Sequence, residues 1–170
     1  ISCYSQYSTS NDGYGVKISK GIKFSLSNGR FVGNTFAKDI LQFADDMTYM
    51  ISDTLFESNE IKSSTVNGIL KVTNSNNIIQ NCVFRDNAVN GDCAGIFISG
   101  KGYSYTIAGC EFESCKGASG SAVRVDSRDT DVKLTLDGCV FINNTSSDGA
   151  VYSTKELTVK NCQFVNNTST

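Results

Sequence analysis

Apolar and polar residues alternate in short runs along this chain, and the runs return at a steady interval. Phe24/Leu26, Tyr49/Ile51, Asn77/Ile79, Tyr105/Ile107, Leu134/Leu136 and Leu157/Val159 each stand two residues apart, with Asn77 as the one polar exception. A period of two predicts a strand with one buried face. Two residues on comes a turn-former, at Asn28, Asp53, Asn81, Gly109, Gly138 and Asn161. These residue types tolerate the left-handed backbone that a sharp corner needs. The next position holds Gly29, Thr54, Cys82, Cys110, Cys139 or Cys162, and two residues later stands Phe31, Phe56, Phe84, Phe112, Phe141 or Phe164. A second strand therefore points its Cys and Phe positions the same way. Six of the ten phenylalanines fall in this one column, which predicts a continuous core ladder.

A third strand precedes each copy, as Gly15-Val-Lys-Ile18, Ile40-Leu-Gln-Phe43, Gly68-Ile-Leu-Lys-Val72, Gly95-Ile-Phe-Ile98, Ala122-Val-Arg-Val125 and Ala150-Val-Tyr-Ser153. Small residues open most of them, as a tight corner against a core requires. Successive ladder phenylalanines lie 25, 28, 28, 29 and 23 residues apart, and five of the six are followed three residues later by Asn. A period in the twenties marks a solenoid. No segment carries a sustained helical stripe, and the leucine-dominated consensus of leucine-rich repeats is missing. The expected fold is all-β: a right-handed parallel β-helix of about six coils, each of three short strands. At 4.8 Å per coil the rod would be roughly 30 Å long.

The Phe-x-x-Asn tetrad paired with a Gly-Ala-apolar element resembles the repeats of the chlamydial polymorphic membrane proteins. Asn161-Cys-Gln-Phe-Val-Asn-Asn167 after Asp148-Gly-Ala-Val151 is the clearest copy. Related repeats occur in right-handed β-helix surface proteins similar to the pectate-lyase superfold. The resemblance spans residues 15–167, though the doubled glycine is missing and Cys115 stands where an Asn is expected. It implies a surface or secreted β-helix engaged in adhesion or envelope structure.

The 170 residues suit one domain, with residues 1–14 as an irregular segment or partial cap and residues 15–170 as the β-helix. A net charge of −2 with scattered Lys and Arg leaves no basic footprint for nucleic acid. No apolar run reaches the ~18 residues of a membrane span. Ile1-Ser-Cys-Tyr4 reads as mature sequence rather than a secretory leader. Asn143-Asn-Thr-Ser146 and Asn166-Asn-Thr-Ser169 are overlapping glycosylation sequons. Asn144 and Asn167 hold the ladder position, which makes Asn143 and Asn166 the better acceptors.

Cys82, Cys110, Cys139 and Cys162 share one column and stack along the rod. Two readings stand: a file of small buried thiols, or disulfides between neighbouring coils about 5 Å apart. Cys93 and Cys115 form a further candidate pair, and Cys3 has no assigned place. A structural zinc site is not expected, because the chain has no His and no Cys-x-x-Cys.

No catalytic, cofactor or metal site is expected. Lyases and hydrolases on β-helices need carboxylate clusters for calcium or for acid–base work. The candidates here are Asp45-Asp46, with Asp129 and Asp131 in another loop, and Arg30 or Arg124 as a cation. Without His they read as solvated loop acids. Gly117-Ala-Ser-Gly-Ser121 lacks the Lys-Ser/Thr of a phosphate loop. Thr106, Thr135 and Thr158 share an outward column with Ser25, Met50 and Ile78, too mixed for an ice-binding row. The expectation is a non-enzymatic extracellular or cell-surface β-helix with a structural or adhesive role. Its expected partners are glycans, a host or cell surface, or other copies or further coils of the same protein meeting end to end as units of a filament. A carbohydrate-active lyase or hydrolase is the alternative.

Overall fold

The computed structural model describes residues 15–18, 23–43, 47–65, 68–73, 77–127 and 131–170. Residues 1–14, with Cys3 and the expected cap, lie outside the described residues. The strands build three parallel six-stranded sheets. The first face holds Val16–Ile18, Leu41–Phe43, Leu70–Val72, Ile96–Ile98, Val123–Val125 and Val151–Ser153. The second holds Lys23–Ser27, Thr48–Ser52, Asn77–Gln80, Ser104–Ala108, Lys133–Asp137 and Glu156–Lys160. The third holds Arg30–Val32, Leu55–Glu57, Val83–Arg85, Glu111–Glu113, Val140–Ile142 and Gln163–Val165. Each strand pairs with its equivalent one coil away, so the architecture is a parallel β-helix. In each sheet four strands are paired on both edges and two lie at the ends.

The expectation of three strands per coil needs correction. After the third face most coils carry a two-residue strand: Thr35–Phe36, Glu60–Ile61, Ala88–Val89, Thr145–Ser146 and Thr168–Ser169. Lys116 bridges the gap between Ala88 and Thr145. The reason lies in a second left-handed corner. The predicted turn column is left-handed throughout, at Asn28, Asp53, Asn81, Gly109, Gly138 and Asn161. So is a column directly ahead of the Asn ladder, at Gly33, Ser58, Asp86, Ser114, Asn143 and Asn166. Two sharp bends per coil, rather than one, set off the extra short strand.

The core is a set of ladders. Phe31, Phe56, Phe84, Phe112, Phe141 and Phe164 align in register and stack with centroids 5.1, 4.7, 4.9, 5.1 and 4.6 Å apart, the rings tilted by no more than 10°. On the second face Phe24, Tyr49, Asn77, Tyr105, Leu134 and Leu157 form one inward file, with Ile51, Ile79, Ile107 and Leu136 in the next. Asn77, the polar exception, is buried between two tyrosines. Coils approach most closely where small residues open the first-face strands: a Cβ on Gly95 would lie 2.1 Å from the Ala122 carbonyl oxygen. Among the described residues no helix is long and apolar enough to cross a membrane.

Candidate functional surfaces and the inner ladders

Parallel in-register pairing turns every outward position into a column, so one coil's side chain always meets its counterpart. On the first face the outward column reads Lys17, Gln42, Lys71, Phe97, Arg124 and Tyr152. Phe97 is buried although it points away from the core. Arg124 pairs with Asp126 at 2.9 Å and Asp92 at 3.6 Å, and its guanidinium carbon lies 4.9 Å from the Tyr152 ring centroid. Burial works against the Arg124 charge, but these two carboxylates hold its pKa above the ordinary value. A strip of cations and aromatic rings suits a polar polymer or a protein surface. Sequence reading missed it, because the middle residues of the first-face strands form no pattern along the chain itself.

The third face carries a cross-coil ion cluster. Arg85 reaches Glu113 at 2.7 Å, Glu111 at 3.0 Å and Glu57 at 3.7 Å, and the hydrogen bonds to Glu111 and Glu113 raise its pKa. Arg30 lies at the front of that face and is exposed. Asp45, Asp46 and Asp129 lie outside the described residues. Asp131 sits in the turn before Lys133–Asp137. Among the described residues no three His, Cys, Asp or Glu side chains cluster as metal ligands would. The 117–121 stretch leads into Val123–Val125, a strand rather than the helix a phosphate loop opens. In it Ser119 donates a hydrogen bond to Asp148 of the next coil. Thr106, Thr135 and Thr158 do align on the outside of the second face, continued by exposed Ile78 and Met50.

Inside the second sharp corner runs an amide ladder. Asn59 Nδ2 donates to Phe31 O (2.8 Å) and Asn87 Oδ1 (3.0 Å), while Asn59 Oδ1 accepts from Asn34 N (3.1 Å) and Asn34 Nδ2 (2.9 Å). Asn144 and Asn167 repeat the motif: Asn144 Nδ2 donates to Phe112 O and Asn167 Oδ1, both at 2.9 Å. Cys115 interrupts it. Its backbone N–H still donates to Asn144 Oδ1 (3.0 Å), but only a thiol, 3.4 Å from Phe84 O, stands where an amide would donate. Cys115→Asn supplies the missing rung and is expected to raise unfolding free energy by about 0.5–1.5 kcal/mol. Urea denaturation checks it, and a loss of stability would show that the site is shaped for sulfur.

Residues 3–126 match the family model for the right handed beta helix region. The chain belongs to the right-handed β-helix family. No curated protein and no solved structure matches it. The ladders just described are how this right-handed β-helix fills its interior.

The disulfide candidates are corrected by the structure. Cys82, Cys93, Cys110, Cys115, Cys139 and Cys162 are all free thiols. In a parallel in-register column the Cα–Cβ bonds run side by side about 4.8 Å apart, which does not suit the ~3.8 Å Cβ separation and near-perpendicular torsion of a disulfide. The thiols turn instead to backbone carbonyls, of their own coil for Cys82 Sγ to Gln80 O at 3.3 Å and Cys110 Sγ to Ala108 O at 3.4 Å, and of the coil before for Cys139 Sγ to Ile107 O at 3.4 Å. The sulfurs also accept from the coil before: Cys82 N–H donates to Cys110 Sγ, and Cys139 N–H to Cys162 Sγ, both at 3.4 Å. Cys93 Sγ turns to Ile96 O at 3.5 Å. Burial pushes the Cys93 and Cys115 thiols up to about 12 and Cys139 to about 11. Only thiolates react, and only where reagent can reach them. Brief treatment with a maleimide at pH 7 should therefore label half-exposed Cys162 and leave Cys82, Cys93, Cys110, Cys115 and Cys139 for the unfolded state, as mapped by peptide mass. Native labelling of Cys93 or Cys115 would contradict the packing.

The sequons divide as the ladder dictates. Asn143 and Asn166 are exposed at left-handed corners. Asn144 is buried, and Asn167 donates through Nδ2 to Phe141 O at 2.9 Å. In the folded chain the Asn144 and Asn167 amide nitrogens thus hold corners, whereas Asn143 and Asn166 face solvent.

Proposed function

We propose that this chain is a non-enzymatic β-helix with a structural or adhesive role at an extracellular or cell surface. One observation carries this reading most: the regular positions are those of the inner ladders, whereas the outer columns vary from coil to coil. The groups displaced from their ordinary pKa fit it. Tyr49, Cys93, Cys110, Cys115 and Cys139 are core residues pushed up, Cys82 is a core thiol pulled down by its hydrogen bond with Cys110, Arg85 is tied into ion pairs between strands, and Arg124 into ion pairs with loop carboxylates. Such shifts belong to packing, not to a group poised for proton transfer. The resemblance to the repeats of the chlamydial polymorphic membrane proteins points the same way. The Lys17-to-Tyr152 column is the adhesive surface of choice, with glycans or a host or cell surface as its partner. Asn143 and Asn166 are its glycan acceptors if the chain passes through a eukaryotic secretory route.

The test is incubation with pectin, alginate and related polymers. Binding without cleavage is expected, weakened by Lys71→Ala with Arg124→Ala. Calcium- or acid-dependent cleavage that disappears with Asp45→Ala plus Asp46→Ala would favour the carbohydrate-active alternative.

A further inference from the structure

The corner between the short strands and the first face differs from coil to coil. Thr35–Phe36 pairs with Glu60–Ile61, and Leu41 pairs with Leu70, so these two coils are in register on both sides of the corner. Between the paired positions one coil has four residues, 37–40, and the next has eight, 62–69. The coil after that has six, 90–95, between Val89 and Ile96. The ends of the long connection are tied down. Lys62 N–H donates to Phe36 O at 3.0 Å, and Leu41 N–H donates to Ile69 O at 3.1 Å. On the other side Asn90 Nδ2 donates to Lys62 O at 2.9 Å. Extra length between fixed ends has to stand off the wall of the rod, and Lys62, Ser64 and Thr65 are exposed. Beside the short corner this leaves a notch of about 430 Å³, lined by Ala37, Lys38, Lys62, Ser63, Ser64 and Thr65.

Among the described residues that lining holds two lysines, three hydroxyls and one methyl, with no carboxylate, aromatic ring or large apolar side chain. Lys38 comes from one coil and Lys62 from the next, so positive charge reaches the notch from both walls. Ser63 Oγ accepts from Thr65 N–H at 3.2 Å and shares one hydrogen bond of 2.9 Å with Thr65 Oγ1. Two hydroxyl protons serve that single bond, which leaves one to donate into the notch. The nearby carboxylates do not close it. Asp39 is buried, and its Oδ1 accepts from Gly68 N–H at 3.3 Å. Glu60 pairs with Lys62, but both side chains are exposed, and an exposed pair holds weakly enough for another anion to displace it.

The donors indicate the shape of that anion. Lysines act as point charges and hydroxyls rotate to suit, which fits a tetrahedral oxyanion. The planar, two-pronged hold on a carboxylate is the work of arginine, and the lining has none. The volume falls in the range of small-molecule sites, roughly 300–1,000 Å³, and exceeds what a bare anion fills. Walls of hydroxyls suit the hydroxyls of a sugar ring. We propose that the notch between residues 37–38 and 62–65 is a binding site for a sugar that carries a sulfate or phosphate monoester. It lies ahead of the first-face strands and stands whether or not the Lys17-to-Tyr152 column binds anything.

Titration of the isotope-labelled 170-residue chain, followed by amide resonances, tests it with glucose 6-sulfate and glucose 6-phosphate as probes. One or both esters should shift the amides of residues 37–38 and 62–65 saturably, and the tighter of the two tells a sulfated glycan from a phosphorylated sugar. Glucose should shift nothing, and inorganic sulfate and phosphate should bind about tenfold more weakly than the esters, because they leave the hydroxyl walls unfilled. Lys38→Ala and Lys62→Ala should each weaken the ester by about tenfold. Glu60→Gln, which removes the competitor for Lys62, should bind at least as tightly as the parent. Lys101→Ala, in the turn after Ile96–Ile98, removes a charge elsewhere and should leave binding unchanged. Resonances outside the notch show that each variant is folded. The proposal is overturned if neither ester binds, if the shifts map elsewhere, or if glucose, glucuronate or the inorganic anions bind as tightly as the esters. It is equally overturned if either lysine variant binds like the parent, if Lys101→Ala weakens binding as much as they do, or if Glu60→Gln weakens it.

Discussion

Phe84→Ala and Phe112→Ala should each lower the unfolding free energy by about 3–5 kcal/mol, whereas Phe164→Ala should cost under about 1 kcal/mol. Phe84 lies between Phe56 at 4.7 Å and Phe112 at 4.9 Å and is fully buried. Removing its ring opens a void walled by two other rings, and parallel strands held from both sides cannot move in to fill it. Phe164 has one stacked neighbour, Phe141, and half its surface already meets water. Urea titration of dilute protein separates the cases. Equal losses at all three positions would mean that the ring file is not one continuous core.

Asn59→Leu should be about as damaging, at about 3–5 kcal/mol, although it preserves shape and adds apolar surface. The substitution strips Phe31 O of its amide donor and Asn34 N–H of the Asn59 Oδ1 acceptor, and breaks the bond to Asn87 Oδ1. Each group left buried without a partner costs about 1–3 kcal/mol. Asn167→Ala, at the half-buried end of the same ladder, should cost about 1 kcal/mol because water can replace what is lost. If Asn59→Leu is tolerated to within about 1 kcal/mol by the same titration, the ladder is a consequence of the corner and not its cause.

Much of the fold was legible because a solenoid repeats its local rules. Alternation two apart marked the inward file from Phe24 to Leu157, and the turn column from Asn28 to Asn161 is left-handed where Asn, Asp and Gly stand. The second corner was harder to see. Its column, Gly33, Ser58, Asp86, Ser114, Asn143 and Asn166, includes two serines, which carry little turn signal alone. Their left-handed backbone is held by the residue that follows, and that bond lies between coils, not along the chain. The first-face surface strip was hidden for a similar reason. Lys71, Phe97 and Arg124 are unremarkable in their own strands and become a column only when the strands are stacked.

Periodicity and residue type were enough for the all-β class, the direction of the strands and the identity of the Phe and Asn files, because each depends on neighbours within a few residues. Three matters waited for the stacked coils. The Cys column is chemically ambiguous in one dimension; parallel Cα–Cβ bonds make it a file of thiols. The ladder position already favoured Asn143 over Asn144 as a sequon, but that Asn144 is buried and Asn143 exposed follows only from the stacked coils. The inequality of the ends is invisible in a repeat whose first and last copies look alike, since exposure of Phe31 and Phe164 depends on what lies beyond each coil. Local pattern decides what one coil does, and only the contacts between coils decide what is covered, what is paired and what is left open.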